Sequence, residues 1–147
     1  MDVAAQSLIE HFEELDLPPE ASAWLLDVWQ VIQTLDDVAD GDAVDRPSLD
    51  ATVWAALVTL PANPFYIANF QALSAALATA VLKWQASDAA ERNGAADARS
   101  DMWRAGYYDL VLLVVLLTKG HSTAMKDAVK VMHLYGEHLD DYLKEFS

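Results

Sequence analysis

Apolar residues recur along this chain at helical spacing from near its first residues to its last. Leu8, Phe12 and Leu15 repeat at i, i+4, i+7 behind Ser7-Leu-Ile-Glu10, which has capping-box spacing. A short amphipathic helix is therefore expected up to the paired prolines Pro18 and Pro19. Trp24, Leu25, Val28, Trp29, Val31, Ile32, Leu35 and Val38 predict a second helix from near Pro19 to about Asp40, ended by Gly41. Ser48 or Asp50 can cap a third, carrying Val53, Trp54, Leu57 and Val58 and stopped by Pro61.

Asn63-Pro64 reads as a helix start, an N-cap followed by proline at the first helical position. The fourth helix is expected to reach about Ala86. Tyr66, Phe70, Leu73, Leu77, Val81 and Trp84 form its large-residue side, and Ala68, Ala72, Ala75, Ala76 and Thr79 its small one. Ser87 to Ala98, with Asn93-Gly94 at its middle, reads as a polar connection. After Gly120, Ser122 can cap a last helix to about Phe146, striped by Met125, Ala128, Val129, Met132, Tyr135, Leu139, Tyr142 and Phe146.

Between these lies Met102–Gly120, around which the rest is expected to be organised. All eight residues from Leu110 to Leu117 are apolar. That is too few for the ~20 a bilayer crossing needs, so the segment reads as a central helix wrapped by others, with Gly120 as its C-terminal cap. Asp109 is the acid on this greasy rod, and a buried carboxylate needs a partner such as Arg104, Tyr107, Tyr108 or a base from another helix. No strand-like alternation appears. The expected fold is all-α: a compact six-helix bundle with a central apolar helix (about 100–118), in a single helical domain over 1–147.

Composition adjusts this picture in two ways. The chain has no cysteine, which removes disulfides, thiolate metal sites and cysteine nucleophiles. Its net charge of −14 is lopsided: residues 1–50 hold 13 acids and one base, Arg46, whereas residues 51–147 hold 10 acids and 8 bases. Nucleic acid would be repelled by such a surface, while a protein partner with a basic surface would be attracted. No charged residue occurs between Asp50 and Lys83. Small phage lysis proteins of the holin type are built from such hydrophobic spans, but Pro61-Ala-Asn-Pro64 interrupts this one and argues against a membrane role. A cytoplasmic protein is expected, without a signal peptide. The small face of the fourth helix leaves a homodimer open.

Candidate chemistry centres on Asp36-Asp-Val-Ala-Asp40. Asp36 and Asp40 lie one helical turn apart, in line with Leu25, Trp29 and Ile32, while Asp37 points to the other side. Paired carboxylates at that spacing suit Mg²⁺, and Asp109 is a candidate third ligand. This DDxxD resembles the first aspartate-rich motif of isoprenyl diphosphate and squalene/phytoene synthases. The likeness extends through Asp45-Arg46-Pro47-Ser48 and implies Mg²⁺-dependent binding or turnover of a phosphorylated ligand. Glu10-His-Phe-Glu13 and Glu137-His-Leu-Asp140 fit the ExxE and ExxD patterns of all-helical NTP pyrophosphatases of the MazG type. His133, Glu137 and Asp141 share a helix face with Lys130 and Lys144, an ordinary ion-paired surface. Finally, Asn63-Pro-Phe-Tyr66, Trp84 and Tyr107-Tyr-Asp-Leu-Val111 together resemble small helical proteins of bacteria and their phages. That resemblance implies an accessory or interaction protein rather than an enzyme.

Overall fold

The computed structural model describes residues 3–136 and 138–146. Every regular element among them is helical. Backbone contacts resolve the chain into two compact units, Met1–Phe70 and Gln71–Ser147. The boundary also divides the charge: all 13 acids of the first third and Arg46 belong to the first unit.

In the first unit, α1 (Val3–Glu14) and α2 (Pro19–Ala39) pack through Leu8, Phe12, Trp24, Leu25 and Val28, all buried. Both helices end in a Schellman turn, in which two backbone N–H groups reach back to carbonyls of the last turn. After α1 the bonds are Asp16 N–H to Glu13 and Leu17 N–H to Phe12; after α2 they are Gly41 N–H to Val38 and Asp42 N–H to Asp37. Gly41 supplies the left-handed residue of the second turn, but Asp16 takes φ +54° in the first without being glycine.

Asp45, not Ser48 or Asp50, caps α3 (Arg46–Trp54), its carboxylate accepting from the Ser48 N–H at 2.8 Å. Pro61 does not stop this helix. A π turn (Ala55–Thr59) follows α3, with Leu60 N–H bonded back to Ala55, and α4 (Leu60–Ala62) carries the proline. In a regular turn the Pro61 ring would strike the Leu57 carbonyl; the widened turn accommodates it. The stop comes at Asn63, whose backbone is extended. Its side chain then caps α5 (Pro64–Ala68), accepting from Tyr66 N–H at 3.1 Å, and donates to the Glu20 carbonyl at 3.0 Å. Tyr66 stacks on Trp24 with ring centroids 5.6 Å apart.

The second unit is built from α6 (Phe70–Arg92), α7 (Ala98–Trp103), α8 (Gly106–Lys119), α9 (His121–Met132) and α10 (Leu139–Glu145). Six helices become more because three expected helices are interrupted. The fourth breaks at Asn69, the central one at Arg104–Ala105, and the last between Met132 and Leu139. Gly120 ends α8 as expected, at φ +87° with its N–H on Leu116. The helices α6 and α8 touch where Gly106 faces Ala80: a Cβ on Gly106 would lie 3.3 Å from the Ala80 Cα.

The central apolar helix is wrapped on one side only. Leu110, Val111, Val114 and Val115 are fully buried, whereas Leu116 and Leu117 remain exposed. The expected stripe on α9 is displaced as well. Ala124 and Val131 are buried, while Met125 and Val129 face outward. Among the described residues, no helix is long and apolar enough to cross a membrane.

Candidate functional site

Two arrangements could act on something outside the chain or organise something within it. The first lies in the acidic unit. The tail of α2 and the start of α3 enclose an open cleft of about 330 Å³. Trp29, Gln33, Thr34 and Asp37 line it from one side and Ser48, Thr52 and Ala55 from the other. Thr52 is buried in this contact, with its hydroxyl on the Ser48 carbonyl at 2.9 Å.

The opposite side of the same helix is bare. Leu49 and Val53, and beside them Asp50 and Trp54, are i, i+4 neighbours on α3, and Leu57 and Val58 follow these two rows into the π turn. All six are exposed, Trp54 at 63 % and Leu57 at 74 %. Asp50 heads the second row, paired with Arg46 at 2.9 Å.

The second arrangement is a buried polar network in the other unit. Ser87 and Ser100 are fully buried, and the Glu91 side chain is only 9 % exposed. Tyr142 Oη donates to Glu91 Oε2 at 2.9 Å and shares a 2.7 Å bond with Ser100 Oγ. Ser87 Oγ donates to the Ser100 carbonyl at 2.8 Å, with Glu91 Oε2 at 3.3 Å as a weaker acceptor. Ser100 Oγ also accepts from Asp97 N–H, completing a capping box at the start of α7. Arg104 covers the Tyr142 ring at 5.3 Å, its Nε 3.7 Å from Glu91.

Beside this network Tyr135 donates to the buried Asp101 carboxylate at 2.9 Å. Burial raises the Tyr142 phenol above its ordinary value. The phenols of Tyr107 and Tyr108 rise for the same reason, Tyr107 strongly. Each hydroxyl of the network has an acceptor within it, so its chemistry is structural: α10, only seven residues long, is held by it.

The residues singled out as metal ligands are distributed between the units. Asp36, half-buried, and Asp40, exposed, lie on the tail of α2, and Asp109 lies on α8. The buried Asp109 expected from its greasy surroundings is instead exposed. It does have a base from another helix, Lys83 Nζ at 2.7 Å from its carboxylate. Among the described residues no group of three or more His, Asp or Glu side chains is arranged to hold a metal ion. Glu137, from the ExxD pattern, lies outside the described residues. Glu10 and Glu13 are both exposed on α1.

Sequence reasoning missed the Ser87–Glu91–Tyr142 network, because Ser87 to Ala98 reads as a polar connection. One signal was available: Ser87 falls on the line of Leu73 and Ala80, at intervals of seven residues, so the buried face of α6 continues through it. No protein-family model, curated protein or solved structure matches the chain.

Proposed function

We propose that this chain is a non-catalytic interaction protein, whose acidic N-terminal unit meets a protein partner across the outward face of α3 and the π turn. The observation that carries this reading is the exposure of Val53, Trp54, Leu57 and Val58 side by side. A contiguous apolar surface of this kind gains free energy only when something covers it, at roughly 25 cal/mol per Å² of apolar area. Exposed tryptophan at the centre of such a surface is the residue type that most often dominates binding energy.

The acids on the α2 tail point the same way. A helix C-terminus carries partial negative charge, and Asp36, Asp37 and Asp40 add three acids to that end of α2. Their placement suits recognition of positive charge.

The reading is tested by placing a photo-crosslinking amino acid at Leu57 and, separately, at Glu13 on α1, then irradiating cells that express the full chain. The expected result is one dominant protein adduct from position 57 and none of the same mass from position 13. Absence of an adduct at 57, or equal labelling from both positions, contradicts the proposal.

A further inference from the structure

We infer that the partner presents a basic amphipathic helix, laid along the two rows Leu49–Val53–Leu57 and Asp50–Trp54–Val58. The inference rests on the interaction reading above and deepens it by naming what is recognised. Residues related by i, i+4 form the ridges that fit the grooves of another helix, and here the ridges begin on α3 and continue into the π turn. An apolar stripe two to three turns long on the incoming helix would cover Trp54 and Leu57 together.

Charge selects among possible occupants. The unit has 13 acids and one base, and that base is already tied to Asp50 at 2.9 Å. A second copy docking through the same face would bring thirteen more acids against them. An anionic lipid surface or a nucleic acid would be repelled likewise. A helix bearing lysine or arginine on the flanks of its apolar stripe is attracted instead. Its cations would meet Asp50 at the head of one row and displace Arg46. The charges would set registry and encounter rate, and the apolar rows the residence time.

The test titrates the full chain with a synthetic amphipathic helix of about 20 residues, carrying leucines at i, i+3, i+4, i+7 and lysines elsewhere. A matched probe has glutamates in place of the lysines. The lysine probe is expected to bind and the glutamate probe not to. Trp54→Ser with Leu57→Ser, both exposed and outside the core, should weaken binding about thirtyfold.

Asp50→Asn should weaken it about threefold, and more at low salt, whereas Glu13→Gln should leave it nearly unchanged. These two substitutions remove the same charge, so equal effects would mean attraction to the whole unit rather than to this face, and would overturn the inference. Equal binding of both probes, or binding that survives Trp54→Ser with Leu57→Ser, overturns it too. So does co-sedimentation with phosphatidylserine vesicles, or concentration-dependent dimerisation lost with those two serines, where the lysine probe fails to bind. A dominant crosslink at Leu57 with a failed lysine probe would leave the interaction reading standing and remove this inference alone.

Discussion

Replacing Tyr142 with phenylalanine isolates the contribution of one hydroxyl in the C-terminal unit. The ring is fully buried and stays in place, so no cavity larger than an oxygen atom opens. What disappears is the 2.9 Å bond to Glu91 and the 2.7 Å bond to Ser100. A hydrogen bond to a charged group contributes about 1.5–3 kcal/mol and a neutral one about 1, partly offset because the hydroxyl no longer has to be desolvated. Glu91 keeps Ser87 Oγ at 3.3 Å and Arg104 at 3.7 Å, which limits the damage. The expected net loss is about 2 kcal/mol, and for a chain of this length a fall in Tm of about 6 °C. Urea unfolding gives the first number and calorimetry the second. Hydrogen exchange should show the backbone amides of 139–145 losing most protection, since a seven-residue helix does not persist without its anchor. A loss below about 0.5 kcal/mol, or one spread evenly over the unit, would refute the idea that this network holds α10.

Further expectations follow from the same geometry. The raised phenols of Tyr107, Tyr108 and Tyr142 mean that stability is complete below their ordinary value near 10 and is lost as pH rises through the folded values; Tyr142→Phe should shrink that alkaline loss in urea midpoints. At the other end, backbone bonds at Ser48 and Ser100 hold Asp45 and Asp97 below the ordinary carboxylate range. Their stabilisation is present above that range and lost as pH falls through the depressed values, and Asp97→Ala should flatten the acid limb. Gly106→Val should cost about 2–3 kcal/mol in chemical denaturation, because the atom it meets is Ala80 backbone and not a yielding side-chain end. Asn63→Ala removes both the cap of α5 and the clamp on the Glu20 carbonyl, an expected loss of about 2 kcal/mol by the same assay. Thermal melts with Mg²⁺ or Mn²⁺ should superimpose on the melt without metal; a rise abolished by Asp36→Ala would support a cation site on the α2 tail instead.

Local chemistry was legible in the sequence where the deciding atoms are neighbours in the chain. Asn63-Pro64 announces its helix start because cap and first turn lie within four residues, and Gly41 and Gly120 end their helices for an equally local reason. Pro61 misled because the rule that proline stops a helix omits the π turn that lets it pass. The stripes on α6, α8 and α9 carried too little information, since most positions on these helices are apolar or small. Which ones are covered depends on neighbours far along the chain. Leu116 and Met125 are as oily as Leu110, yet Leu110 is fully buried and the other two are exposed. Ser87 and Glu91 look like solvent-facing residues until Tyr142, some fifty positions later, arrives to hydrogen-bond them. Asp109 was expected beneath the surface from its neighbours in sequence, but a position one step from the buried Leu110 on a helix can face solvent.

If the face of α3 is a partner's docking site, it is open in the free molecule and closed in the complex. Hydroxyl-radical footprinting reads this directly, with Trp54 as reporter and buried Trp24 as internal reference. The purified chain should be oxidised readily at Trp54 and hardly at Trp24, and the lysine-bearing helix should protect Trp54 without changing Trp24. Resistance of Trp54 in the purified chain alone, or unaltered oxidation with the helix bound, would contradict it.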